Sequence, residues 1–364
     1  MLEWAFDSGA SADAAAEETA VPPEPVGGAV VLGLDIGGTQ IRAAAVLADG
    51  SRLGRRAIAT PDGAGAVAEG AVYSACEWLL RAVLEELPAA VRDRVVAVGI
   101  SSAGPVDPWR GVVVDPPNVP ALRDSPLADE LEARLGLPAY LERDTNVAAL
   151  AEHWLGAARG CSDFLYVTVS TGLGGSIFRD GSLLLGPDGT AGELGHVTLL
   201  MDDGPACGCG GTGHLEGIAS GSGLARQAQA ALSSTDSGFL ADRAARAALS
   251  GRDVAEGEQA GDAVCAALME RARGAFALAC VGWVNAFNPE KIVVGGTVAE
   301  RQGELWLAPA RAAVETTVLA PRARRVRIVP AELGEDVSLV GARPLVAGRH
   351  GDPAWRTRRG PGAR

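Results

Sequence analysis

The stretch Ala29-Val-Val-Leu-Gly-Leu-Asp35-Ile-Gly-Gly-Thr39-Gln-Ile-Arg-Ala-Ala-Ala-Val-Leu47 sets an apolar run on each side of a glycine pair. Short apolar runs bounded by turn residues read as buried strands, and the glycines between them as a tight hairpin tip. Asp49-Gly50 then marks a turn out of the second strand. The pattern returns downstream. Phe164 to Ser170 is an apolar strand, Thr171-Gly172-Leu-Gly174-Gly175 a second glycine turn, and Ser176 to Phe178 the start of a returning strand. Strand, glycine turn, strand, met twice in one chain, predicts two related α/β domains facing each other across a cleft.

The segments around these hairpins complete the outline. Helical patterns run over 66–87, 126–135 and 146–158, with strand patterns over 95–101 and 139–143 and a Pro/Gly-rich stretch over 104–120. From about Glu216 the chain reads as mostly helical, interrupted by a strand from Lys291 to Val294 that leads into Gly295-Gly296. The expected division is a first α/β domain over 29–145 and a second over 146–336, with a last helix, 337–347, packing back on the first. Residues 1–28, rich in Ala, Glu and Pro, read as a disordered extension, and 348–364, with five arginines, as a disordered basic tail.

The 364 residues suit about two domains, and 48% apolar against 21% charged residues allows a sizeable core. A formal net charge of −13 excludes a general basic field for nucleic acid. No apolar run reaches the ~20 residues that span a bilayer, and the first 28 residues lack the positive start of a secretory signal. A cytoplasmic setting is expected, in which six cysteines are thiols or metal ligands rather than disulfides. Lys291 is the sole lysine and no G-x-x-x-x-G-K-[ST] occurs, so any phosphate must be met by glycine turns, hydroxyls and Mg²⁺.

Asp35-Ile-Gly37-Gly38-Thr39 offers those parts: backbone N–H groups unshielded by Cβ atoms, a hydroxyl donor, and a carboxylate able to hold Mg²⁺ through water. A single Gly-Gly turn is usually just a turn. Its recurrence at Thr171-Gly172 and, after a strand, at Gly295-Gly296 favours a nucleotide cleft. At this point Asp35-Ile-Gly-Gly-Thr39-Gln-Ile-Arg42 resembles the first phosphate motif of the actin-like ATPase superfamily. Ser170-Thr-Gly-Leu-Gly-Gly175 resembles the second, and Val293-Val-Gly-Gly296 the adenosine motif. The resemblance implies two ribonuclease-H-like domains with ATP between them.

His196 is followed by Cys207-Gly-Cys209-Gly-Gly-Thr-Gly-His214, which places two of the four histidines and two of the six cysteines in one short segment. Thiolates and imidazoles this close suit tetrahedral Zn²⁺ with four protein ligands, a structural site with no open position. The blander alternative is a glycine-rich loop with incidental thiols. Ala191-Gly-Glu193-Leu-Gly-His196, followed by Cys207-x-Cys209-Gly-x-x-Gly-His214-x-Glu216, resembles the signature of the ROK family. That pattern usually carries a third cysteine where His214 stands. Two thiolates and two neutral imidazoles leave the site formally neutral, so the exchange alters its pH dependence rather than abolishing it. Cys76, Cys161, Cys265 and Cys280 lie in apolar or helical contexts and are expected as buried thiols.

Asp144, in Glu142-Arg-Asp144-Thr-Asn146, ends a strand pattern before a helix. Local sequence leaves it either a helix cap or a general base. The ROK resemblance implies the base, and assigns sugar contacts to Asn118 (in Pro117-Asn-Val-Pro), Asp144, Glu193, His196 and Glu216. For Asn118 a turn role is the alternative, and for the two glutamates an ordinary surface carboxylate. His196 then serves twice, one ring nitrogen for zinc and the other for a hydroxyl. One departure stands out: the family usually has Asn where this chain has Arg143. The resemblance, spanning about Val30 to Gly348, implies an ATP- and Mg²⁺-dependent hexose kinase, with glucose first and N-acetylmannosamine, N-acetylglucosamine or fructose as alternatives. It also implies a homodimer. The family includes sugar-sensing repressors, but an acidic, Pro-rich segment stands where their basic DNA-binding module would be.

Overall fold

The computed structural model describes residues 28–61, 65–233, 237–352 and 355. All but the last residue of the extension read over 1–28, and most of the basic tail, lie outside the described residues.

The opening stretch forms β1 (Val30–Ile36) and β2 (Gln40–Val46), an antiparallel hairpin in register from Val31 opposite Val46 to Ile36 opposite Ile41. Every residue of β1 is buried, as a central strand covered on both faces requires. β3 (Arg52–Ala59) pairs with the far side of β2, while β4 (Val95–Ser102) runs parallel to β1. The short pair β5 (Val106–Asp107) and β6 (Val112–Val113) stands apart. With β7 (Ala139–Arg143) the first sheet reads β3-β2-β1-β4-β7. The second hairpin is β8 (Phe164–Val169) and β9 (Leu173–Arg179), extended by β10 (Ser182–Leu183), β11 (Lys291–Gly295) and β12 (Arg327–Pro330). Its sheet reads β10-β9-β8-β11-β12, the same third-second-first-fourth-fifth arrangement as the first. The repeat seen in the glycine turns is thus a repeat of whole sheets.

Helix α1 (Ala66–Glu86) covers one face of the first sheet with Val72, Cys76, Leu79, Leu80 and Val83. The short α2 (Ala89–Arg92) and α3 (Leu127–Leu135) follow, then α4 (Asp144–Trp154). Helices α5 (Leu215–Ala219), α6 (Gly221–Ala231), α7 (Gly238–Ala244) and α8 (Gly251–Gln259) lead into α9 (Ala263–Phe287), whose Phe276, Cys280 and Trp283 fill the second core. α10 (Thr297–Gln302), α11 (Glu304–Thr317) and α12 (Val337–Ala347) complete the chain. α12 packs on β1 and β4 and also on α4, which in turn reaches β8 and β9. It lies so close that a Cβ at Gly99 would come 2.6 Å from the Ala342 carbonyl oxygen. α4 and α12 therefore form the layer between the sheets.

Three expectations change. The arginine-rich segment after Gly50 is a full edge strand, β3, and a further strand, β12, interrupts the helical carboxyl-terminal region. α4 begins at Asp144, two residues earlier than the pattern suggested, so Asp144 is the first helical residue and Arg143 the cap. The chain also stays packed past Gly348: Arg349 is buried against Glu142, and its guanidinium lies 4.0 Å over the ring of the buried Trp355. Cys76, Cys161, Cys265 and Cys280 are all buried, as expected. Among the described residues no helix is long and apolar enough to cross a membrane.

Candidate active site

The hairpin turns face the same cleft because each sits at the end of its sheet's central strand. At the first tip the Gly37 amide donates to the Gln40 carbonyl (3.0 Å), and Thr60 clasps the turn through its hydroxyl to the Gly37 carbonyl (2.7 Å). Gly38 packs against Asn118 so tightly that a Cβ there would meet the Asn118 Cβ at 2.8 Å. Asn118 and Thr39 are exposed at this tip. Asp35 lies just beneath, 6% exposed, its Oδ2 accepting from Arg42 Nη2 (2.6 Å) and Nε (3.1 Å) and its Oδ1 from the Ser101 hydroxyl (2.8 Å).

Asp144 enters the floor of the cleft from the start of α4. Its Oδ1 accepts from the Thr145 amide at 2.7 Å. Burial pushes its carboxyl up from the ordinary 3.8 to about 6, helped by the negative charges of Asp35 and Glu193 and opposed by the Thr145 amide and Arg143. A carboxylate poised near neutrality within reach of a cleft is suited to taking a proton.

On the second sheet's side, Glu193 opens a short turn, Leu194–His196, and its Oε2 lies 3.8 Å from His196 Nε2. The other imidazole nitrogen of His196, Nδ1, faces Cys207 Sγ at 3.7 Å, and Cys209 Sγ faces His214 Nδ1 at 3.3 Å. One donor atom from each of His196, Cys207, Cys209 and His214 falls within 4.8 Å of the others. Two thiols and two imidazoles so convergent match a closed tetrahedral zinc site in number and chemistry. Burial, with the Glu216 carboxylate beside it, pushes the Cys207 thiol up to about 12, and a bound divalent cation would draw off that proton. Glu216 also accepts from the Leu173 amide at 3.0 Å, which ties the loop to the second glycine turn.

That second turn is closed by Ser170, whose amide donates to the Gly172 carbonyl (2.9 Å). The Ser170 hydroxyl lies 3.0 Å from that of Thr297, next to Gly296. Gly296, at φ 91°, admits the close passage of Val169, whose carbonyl oxygen would stand 2.6 Å from a Cβ at this position. Ser170, Thr171 and Thr297 line a cavity of about 1020 Å³ together with Ser222, Arg243 and Arg252. Those last three escaped the sequence reading. They come from α6, α7 and α8, far apart in sequence, and carry no local signal. The structure thus sets Asn118 against the first glycine turn and Glu216 against the second, pairs Glu193 with His196, brings Asp144 under the charges of Asp35 and Glu193, and opens the large cavity beside Ser170 and Thr171.

The family model described as the ROK family matches residues 31–349. A glucokinase of Halalkalibacterium halodurans is 33% identical over 86% of this chain and 94% of its own. An N-acetylmannosamine kinase of Shigella flexneri is 34% identical over 87% of this chain and 98% of its own. A crystal structure of a ROK family glucokinase from Streptomyces griseus in complex with glucose and AMPPNP superimposes with a TM-score of 0.70. It is 32% identical and covers 87% of this chain and 98% of that one.

Proposed function

Because the chain belongs to the ROK family and is a sugar kinase, we propose that it transfers the γ-phosphoryl group of ATP to a hydroxyl of a hexose, glucose before others. The observation that carries this reading is Asp144, a carboxyl raised to about 6 beneath the Gly37–Thr39 tip and beside Glu193. ATP would lie with its base and ribose in the cavity lined by Thr171, Ser222 and Thr297, and its phosphates between the glycine turns. The sugar would be held by Asn118, Glu193, His196 and Glu216, whose carboxylate, amide and imidazole groups match a fan of hydroxyls.

In the reaction Asp144 accepts the proton of the attacking hydroxyl as its oxygen bonds to the γ-phosphorus and the bond to the β-phosphate oxygen breaks. ADP leaves with that electron pair. The backbone amides of the turns donate to the phosphoryl oxygens and meet the developing charge. Both oxygens of Asp35 already accept hydrogen bonds, so this carboxylate would hold Mg²⁺ through water rather than directly. Mg²⁺ supplies neutralisation of the phosphate charge. Zinc held by His196, Cys207, Cys209 and His214 would be structural, fixing the tautomer and ring angle with which His196 Nε2 meets the sugar. An intracellular, reducing setting fits this thiol pair.

The N-acetylmannosamine kinase relative supports a second acceptor class, N-acetylhexosamines. ADP release measured with ATP–Mg²⁺ over glucose, mannose, fructose, N-acetylglucosamine and N-acetylmannosamine tests both. Highest kcat/KM with glucose is expected. A preference for an N-acetylated sugar would replace the acceptor and keep the chemistry, and absence of turnover with every sugar would overturn the hexose reading.

A further inference from the structure

Arg143, next to the proposed base, reaches from the end of β7 across to the second sheet. Its guanidinium, 6% exposed, forms an ion pair through Nη1 with Glu193 Oε1. Nη2 donates to the carbonyls of Ala191 (2.7 Å) and Gly175 (3.1 Å), and to Asn146 Oδ1 (3.4 Å). One side chain from the first sheet thus takes hold of β9 and of the segment entering the Glu193–His196 turn.

Two glycines make room for it. A Cβ at Gly104 would press on Arg143 Cδ at 3.0 Å, and one at Gly192 on Nη2 at 3.1 Å. Gly192, at φ 91°, lies directly between Ala191, which receives the guanidinium, and Glu193, which pairs with it. Arginine is favoured over lysine in such a place, because a planar fork serves several acceptors from a fixed position. The cation also acts on Asp144, where it opposes the negative charges of Asp35 and Glu193.

We propose that Arg143 is a positioning residue that clamps Glu193 by one oxygen and presents the other to the sugar, joining the strand of the base to the sugar-binding turn. The proposal rests on the hexose-kinase reading for the identity of the ligand at Glu193. It gives this chain a specific device: the sugar-facing carboxylate does not have to be ordered by the substrate, because a buried guanidinium from the opposite sheet orders it beforehand. Loss of the clamp should weaken sugar binding much more than the chemical step, since Arg143 touches neither the attacking oxygen nor the phosphoryl group.

A double-mutant cycle of R143N, E193Q and their combination, read as KM and kcat for the preferred hexose at saturating ATP and at pH 8.5, where Asp144 stays ionised even without the opposing charge of Arg143, tests this. R143N should raise the sugar KM about tenfold, the scale of one charge-assisted hydrogen bond, with kcat changed less than about threefold. The double variant should bind sugar no worse than E193Q alone, because Arg143 acts through Glu193. Additive losses, or a fall in kcat at unchanged KM, would overturn the proposal. Where R143N fails to fold, R143K keeps cation and length without the fork and is read the same way. Failure of the two readings is distinguishable: wild-type turnover of a hexose with an additive cycle sinks only the clamp, whereas a wild type inactive on every sugar removes the ligand the clamp serves and sinks both.

Discussion

Lowering the pH from 7 to 5 should reduce kcat/KM for the hexose about tenfold, and the cause lies in one side chain. With an apparent value of about 6, the Asp144 carboxyl is ionised to about 90% at pH 7 and about 10% at pH 5. At its ordinary 3.8 it would still be more than about 90% ionised at pH 5, and the rate would hardly change. Burial contributes most of the rise, so the same shift has a thermodynamic side. The folded carboxyl binds its proton more tightly than the unfolded one. Ionisation therefore costs stability, and the loss develops as pH rises from about 4 to above 6. Two units correspond to about 3 kcal/mol, and the part of the side chain open to the cleft reduces this to about 1–3 kcal/mol. D144N, neutral at every pH, should be more stable than wild type at pH 8 by that margin and equal to it near pH 4. Its kcat should fall by about 10²–10⁴, the usual contribution of a positioned base. The assays are a kcat/KM–pH profile between pH 4.5 and 9 and urea unfolding of both proteins at pH 4 and 8. An acid limb below about pH 4.5, or a D144N variant retaining turnover within threefold, would refute the assignment of Asp144 as the base.

H214A should lose bound zinc and lower the melting temperature, while H214C should keep the metal; atomic absorption of the purified proteins decides, and an unchanged zinc content in H214A removes it from the ligand set. G296A should raise the KM for ATP at least about tenfold and leave sugar binding intact, since its Cβ would press on Val169 and Thr168 Oγ1 at 2.6 Å in the wall of the nucleotide side. R349A should destabilise the fold by about 3–5 kcal/mol in urea, because it strands the fully buried Glu142 without its cation, and the added change E142Q should restore part of the loss. A loss below about 1 kcal/mol in R349A would show that Glu142 finds another partner.

The two hairpins were legible because each is a local event: apolar runs of six or seven residues with glycines at a fixed place between them. β3 was not, although it is longer. As an edge strand it has no fully buried residue and carries Arg52, Arg55 and Arg56, and its pairing with β2 rather than its own composition makes it a strand. β12 is hidden likewise, four residues that follow Arg324 and Arg325, open on Arg327 and close on Pro330. For the site, the cysteine–histidine loop announced itself through spacing, and four donors converge as expected. The direction of Arg143 could not be read, since it depends on Gly104 and Gly192, which lie on either side of it in sequence and meet it only when the sheets assemble. The Glu142–Arg349 pair spans 207 residues and leaves no trace in either neighbourhood.

The place of α12 bears on how the protein can be made. β1 and β4 leave the ribosome well before the helix that fits over their Gly33 and Gly99. Until residues 337–347 emerge, one face of the first sheet stays bare, and the nascent chain must carry that apolar surface while the whole second sheet is made. A chain broken off before residue 337 would therefore be no smaller working kinase, but a chain with an open greasy face, fit for chaperones and proteases.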